Sequence, residues 1–140
     1  MKQITVLTLV AVLFLGWTTA SEIKWNRNLE DGLKNQKTNG KDIIIYFGAS
    51  WCAPCKEIEK QVFSSSRFIE YSQSFEMIKI YDDFKNGEKA KHDYYISTMN
   101  KFNIKGIPTF VIIKSNQKKF TISGAYYSPE ELINQLNSCK

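Results

Sequence analysis

Ile43-Ile44-Ile45-Tyr46-Phe47-Gly48-Ala49-Ser50-Trp51-Cys52-Ala53-Pro54-Cys55-Lys56 is the stretch that decides the fold. Its first five residues are an unbroken run of β-formers, which predicts a central strand from Asp42 to Gly48 buried on both faces. A helical pattern follows from Ala53 to Ser64, with apolar residues at Ile58 and Val62-Phe63. Cys52 therefore stands where a buried strand gives way to a helix. Free backbone N–H groups and the positive end of the helix dipole favour thiolate over thiol there. Cys55 follows one helical turn later, so the two sulfurs can close a disulfide with little backbone movement. Pro54 falls in the first turn, where its missing N–H costs nothing. Such a pair suits nucleophilic attack by Cys52 and resolution by Cys55.

Other uses of the pair fit less well. A structural disulfide across so short a loop would constrain almost nothing. A zinc site needs two more ligands, and only His92 and Cys139 remain as His or Cys. Haem attachment requires His after the second Cys, where this chain has Lys56.

Outward from this stretch, strands and helices alternate. Ile23-Lys24-Trp25 reads as a short strand, and Asn28 caps a helix that stops near Asn39-Gly40. After the Cys helix come a short helical piece from Ser66 to Tyr71 and a strand from Phe75 to Tyr81. Asp82 to Lys91 is charged and reads as a loop, and His92 to Asn103 as a helix. Thr109–Lys114 and Lys119–Ser123 form a hairpin. Ser128, Pro129 and Glu131 open the last helix as cap, first residue and capping-box partner. The order β-α-β-α-β-α-β-β-α predicts an α/β sheet of four to five strands with helices on both faces.

Composition agrees with one packed domain. The chain has 140 residues, 43% hydrophobic and 24% charged, with Gly 7 and Pro 3. Three cysteines are too few for a disulfide scaffold. The net charge of +5 comes from lysines spread among acidic residues, which reads as a solvated surface and not a nucleic-acid site. The N-terminus is distinct. Lys2, a 14-residue apolar run from Ile4 to Trp17, and Thr18-Thr19-Ala20 have the form of a cleaved signal peptide over residues 1–20. The run is shorter than the about 20 apolar residues of a membrane span, although an uncleaved anchor is the alternative. The domain then covers residues 21–140 and works in an oxidising compartment, secreted or periplasmic.

The stretch Phe47 to Lys56, followed later by Gly106-Ile107-Pro108-Thr109-Phe110, resembles the thioredoxin superfamily. The resemblance runs from Ile23 to Lys140 and implies the thioredoxin fold with its central mixed sheet. It implies a cis peptide before Pro108, packed beside the Cys pair, and a substrate strand paired to the backbone of Ile107. Cys55-Lys56-Glu57-Ile58-Glu59-Lys60-Gln61-Val62-Phe63 is similar to one branch, the C-terminal periplasmic domain of the transmembrane thiol:disulfide interchange protein. That domain carries a carboxylate at the place of Glu59. It also carries a buried Asp where this chain has Tyr46, a departure that removes the usual proton acceptor for Cys55.

Several residues have a bland reading beside the functional one. Trp51 shields the nucleophile and touches partners, or is a core aromatic. Glu59, four residues after Cys55, accepts the proton of Cys55 or is a solvated helix residue. Lys79 reads as solvent-facing, although its strand is expected beside that of Tyr46. Lys56 and His92 read as surface, and Tyr94, Tyr95, Tyr126 and Tyr127 as packing or rim residues. Cys139 reads as an incidental exposed thiol, or as the link of a disulfide-bonded dimer.

The expected function is a thiol:disulfide oxidoreductase, tilted toward reductase because Ala53-Pro54 resembles the Gly-Pro of reducing thioredoxins. Its partners would be protein disulfides and a membrane thiol-electron donor, with no cofactor, no nucleic acid and a monomeric state. The competing reading is a Cu(I) metallochaperone, since soft thiolates suit that ion. It would want a further ligand, and Met77 and Met99 have no spacing that brings them near Cys52.

Overall fold

The structure is a computed structural model that describes residues 22–83 and 88–139. The signal-peptide reading of residues 1–20 and the middle of the charged loop lie outside the described residues.

Five strands form one mixed sheet: β1 (Trp25–Asn26), β2 (Ile43–Ala49), β3 (Glu76–Asp82), β4 (Thr109–Ile113) and β5 (Lys119–Ser123). Their order across the sheet is β1-β3-β2-β4-β5. The first three are mutually parallel, and β4 runs antiparallel to β2 and β5. All seven residues of β2 are buried. Its alternating side chains feed two cores. Ile44 and Tyr46 join Phe110, Ile112 and the apolar faces of α2 (Ala53–Ile58), α3 (Ser66–Ser72) and α5 (Pro129–Ser138). Ile43, Ile45 and Phe47 pack on the other side with α1 (Leu29–Asn39) and α4 (Lys89–Lys101). Each fully buried isoleucine contributes about 1.5–3 kcal/mol, so the run that signals the strand also holds it in place.

The helix ends follow the expected chemistry. Asn28 accepts the Asp31 N–H at 3.1 Å, Ser65 that of Phe68 at 3.2 Å, and Ser128 that of Glu131 at 3.1 Å. Gly40 closes α1 at φ +69°, a backbone conformation that favours glycine.

Three boundaries differ from expectation. β1 begins two residues late. α4 begins at Lys89, because the charged residues taken for loop form its solvated first turn, with Lys89 paired to Asp93 at 2.6 Å. The Cys helix does not stay α-helical to Ser64. It widens into a π-helical turn over Glu59–Phe63. Widening from i+4 to i+5 turns Phe63 as well as Val62 toward the core beneath Ile58, and all three are buried.

Tyr46 has an unusual seat. Its ring lies along β2 over Gly48, where a Cβ would meet Tyr46 Oη at 2.6 Å and Cζ at 2.7 Å. Only glycine leaves room for this rigid side chain. Gly48→Ala is expected to destabilise the oxidised protein by about 1–3 kcal/mol in urea denaturation. A loss below about 0.5 kcal/mol, the range of an inert surface change, would show that the ring has room to move.

Candidate functional site

Cys52 is the N-cap of α2, with φ −86° and ψ 106°. Its Sγ accepts the Cys55 N–H at 3.2 Å, so the sulfur faces the open end of the helix. The two cysteines form a disulfide, with S–S 2.08 Å and Cα–Cα 5.3 Å. Cys55 is wholly buried, whereas Cys52 keeps 6% of its surface exposed. Trp51 is 58% exposed, so the core-aromatic reading is wrong: the loop presents the ring to solvent. Ala49 O accepts the Cys52 N–H at 3.2 Å, and Asp82 O accepts the Ser50 N–H at 2.9 Å, which ties the loop to β3.

The Ile107–Pro108 peptide bond is cis. Thr109, directly after it, pairs with Phe47, so Pro108 lies at the end of the sheet from which the Cys loop departs. Thr109 Oγ1 donates to Gly106 O at 2.8 Å, and Gly124 N donates to Pro108 O at 3.2 Å. These bonds fix the proline turn that leads into β4 against the end of β5.

Beneath the Cys pair the structure brings together side chains from three elements. Glu59 Oε2 lies 2.9 Å from Lys79 Nζ. Lys79 stands opposite Tyr46 across β3 and β2 and is buried, contrary to its solvent-facing reading. The period-two pattern of β3 explains this: Lys79 shares a face with Met77 and Tyr81, and that face is roofed by the Cys helix. Its ammonium sits 4.3 Å from the centroid of the Tyr81 ring and within 6 Å of Tyr46 and Trp25. Burial lowers the Lys79 pKa from its ordinary value, and the Glu59 partner opposes that shift. Burial first, and the Glu59 charge second, push the Tyr46 phenol far above its ordinary range, so Tyr46 is not a base at any working pH. Glu59 is thus a paired, 28% exposed carboxylate and not a freely solvated helix residue. Its N–H donates to Cys55 O, one full turn back along the helix.

Other residues also depart from their bland readings. His92 Nδ1 lies 3.2 Å from Asp82 Oδ2, so it pairs with a buried carboxylate next to the Cys loop and is not plain surface. Cys139 is not exposed. It is 8% accessible and directs its thiol to Gln135 O at 3.7 Å, because the end of α5 folds it against the core. Tyr95 is buried, Tyr94 Oη accepts the Leu29 N–H at 2.8 Å, and Tyr127 is exposed. Lys56 is exposed as expected. Among the described residues, no further soft ligand gathers around the pair as a metallochaperone would want. Met77 packs at the far end of β2 beside Ile44, and Met99 lies in the opposite core. Among the described residues no three His, Cys, Asp or Glu side chains converge.

A mixed sheet with a CxxC disulfide at the start of a helix, facing a cis-proline turn, defines a thioredoxin-type redox domain. The thioredoxin-like domain family model matches residues 29–140, and the chain belongs to that family. It is 31% identical over 109 residues to the thiol:disulfide interchange protein DsbD of Campylobacter jejuni, covering 78% of this chain and 18% of that protein. The chain therefore spans about one fifth of that relative's length. Thioredoxin-1 of Drosophila melanogaster is 29% identical over 90 residues, 64% of this chain and 73% of its own. Among solved structures, the DsbH oxidoreductase superposes with a TM-score of 0.75 at 19% identity, covering 86% of each chain. The protein is a thioredoxin-like domain with a Cys52–Cys55 disulfide pair.

The Lys79–Glu59 pair gives a stability prediction. Lys79→Met leaves Glu59 without its partner and is expected to cost about 1–3 kcal/mol. That is less than the about 3–5 for breaking a fully buried pair, because Glu59 is partly exposed. Adding Glu59→Gln should recover part of the loss in equilibrium denaturation. Strict additivity of the two changes would show that the pair is not coupled.

Proposed function

We propose that this protein is an exported thiol:disulfide reductase of protein substrates, recycled by a membrane thiol-electron donor. The observation that carries the reading is the asymmetry of the pair: Cys52 is the N-cap and keeps 6% of its surface accessible, and Cys55 behind it keeps none. Reduced Cys52 attacks a substrate disulfide as a thiolate. One substrate sulfur leaves, and the other stays bonded to Cys52 as a mixed disulfide. Cys55 then attacks Cys52 Sγ, the Cys52–Cys55 bond forms, and the second substrate thiol departs. Two electrons pass from the dithiol to the substrate. Exposed Trp51 and the backbone of Ile107 beside Pro108 border the site and supply the substrate platform. The Met1–Ala20 segment, read as a signal peptide, directs the domain to the periplasm. The domain acts as a monomer. The Ala53-Pro54 pair between the cysteines supports the reducing direction.

Glu59 handles the proton of Cys55 in this reading. To resolve the mixed disulfide, a buried thiol must ionise, and desolvation opposes that. Glu59 lies one full turn along the helix from Cys55, its N–H donating to Cys55 O.

Insulin reduction with dithiothreitol as donor tests the activity, and Cys52→Ser should abolish it. Cys55→Ser should accumulate mixed disulfides with substrate, whereas Cys52→Ser should not. In the reduced protein, iodoacetamide at mildly acidic pH should label Cys52 before Cys55 and Cys139. Faster labelling of Cys55 would overturn the assignment of roles. A reduction potential near about −270 mV supports the reductase, and one near about −120 mV makes the protein an oxidant. Glu59→Gln should slow resolution by up to about 10²-fold, the low end of general acid–base assistance. Resolution at the parent rate would make Glu59 a structural partner of Lys79 only.

A further inference from the structure

Among the described residues, two buried side-chain oxygens lack a hydrogen-bond partner, and they belong to interacting side chains: Tyr46 Oη and Glu59 Oε1. The Glu59 carboxylate lies close enough to the Tyr46 phenol for its charge to oppose ionisation. A fold gains nothing by burying two unpaired oxygens, and phenylalanine at position 46 would fill the same seat without the unmet donor.

Their placement is directional. The Tyr46 hydroxyl reaches along β2 over Gly48, toward the end where the Cys loop leaves the strand. Cys55 and Tyr46 lie in the same core, and both are fully buried. Glu59 uses Oε2 for Lys79, which leaves Oε1 as the orphan oxygen. Glu59 and Lys79 also line a surface cavity of about 220 Å³ with Glu22, Ile23, Trp25 and Phe63. Glu59 thus has one side toward the interior and one toward solvent.

We propose that Tyr46 is a proton-positioning residue: its hydroxyl links the Cys55 thiol to Glu59 Oε1, and Lys79 holds Glu59 at the cavity mouth. The proposal rests on the reductase reading above and names the inner half of the proton path. During resolution the Cys55 S–H bond breaks, and its proton passes to the Tyr46 oxygen. The phenolic proton moves in the same event to Glu59 Oε1. The phenol is regenerated, Glu59 becomes a carboxylic acid, and Cys55 attacks Cys52 Sγ with its freed electron pair. The departing substrate thiolate takes a proton from solvent, and Glu59 returns its own through the cavity. No oxidant or reductant is needed beyond the dithiol and the substrate disulfide. The titratable groups facing Tyr46 are Glu59, Lys79 and Tyr81, with Tyr95 acting through the sheet; Arg27 acts on Lys79, and Glu22 borders the cavity.

The test is stopped-flow reaction of the reduced full chain with 5,5′-dithiobis(2-nitrobenzoate). The first thionitrobenzoate released reports attack by Cys52, and the second reports resolution by Cys55. Tyr46→Phe should lower the ratio of resolution to attack roughly tenfold near about pH 6, and the deficit should shrink toward about pH 9, where solution base removes the thiol proton. A path in series also predicts that Tyr46→Phe with Glu59→Gln is no slower than the slower single variant. In the parent, the resolution rate plotted against the fraction of D2O should curve, as two protons moving together require. That measurement needs no substitution and stands even if Tyr46→Phe folds poorly. A straight plot, a Tyr46→Phe ratio equal to the parent's, or multiplying effects of the two substitutions would each overturn the proposal. If Glu59→Gln slows resolution while Tyr46→Phe does not, only the Tyr46 link fails. If Glu59→Gln is also without effect, the Glu59 reading fails with it.

Discussion

A strand with water on neither side must be covered by helices above and below, and β2 imposes that requirement on this chain. Ile44 and Tyr46 demand α2, α3 and α5, and Ile43, Ile45 and Phe47 demand α1 and α4. Because β2 is clamped by β3 on one edge and β4 on the other, its C-terminal end is held in place. The Cys loop leaves from that end, and the cis-proline turn enters the sheet beside it. The redox pair is positioned by a strand that cannot shift without exposing two cores at once.

The same burial creates the chemical difficulty. A thiol at the base of a packed helix is shielded from wrong partners but also from water, which would otherwise take its proton. The fold sets polar groups into the same apolar core: a tyrosine hydroxyl, a carboxylate and an ammonium, drawn from β2, the π-helical turn and β3. The π-helical turn matters here. By widening after Ile58 it delivers Val62 and Phe63 to the core while Glu59 remains at the rim. An ion pair in this setting is weak evidence for stability. Its placement beside the orphan Tyr46 oxygen, with the second orphan on Glu59 itself, fits a functional purpose better.

The aromatic cluster around this site belongs to the same account. Trp25, Tyr46, Phe63 and Phe110 meet at centroid distances of 4.9–6.3 Å, several of them tilted or edge to face. Rings can surround the Lys79 ammonium without supplying a competing anion, which leaves Glu59 as its ion-pair partner.

Much of this molecule was legible in local sequence. The β-former run of Ile43–Phe47, the caps Asn28 and Ser128, and Cys52-Ala53-Pro54-Cys55 at a strand-to-helix junction each carry their meaning within a few residues. They determined the element order and the cysteine pair that closes the disulfide, because propensity, capping and helix-end geometry act over one or two turns. The motif at Gly106–Phe110 added the proline turn by resemblance. Lys79, His92 and Cys139 were misread for the opposite reason. Whether a lysine in an alternating strand meets water or a carboxylate depends on which helix roofs that face. His92 meets Asp82 only because α4 turns back on the end of β3, and Cys139 is buried only because α5 closes on the core. Local sequence determined which groups can do redox chemistry. Tertiary packing alone decided which neighbours set their protons and charges, because those neighbours come from elements that meet only after the sheet has formed.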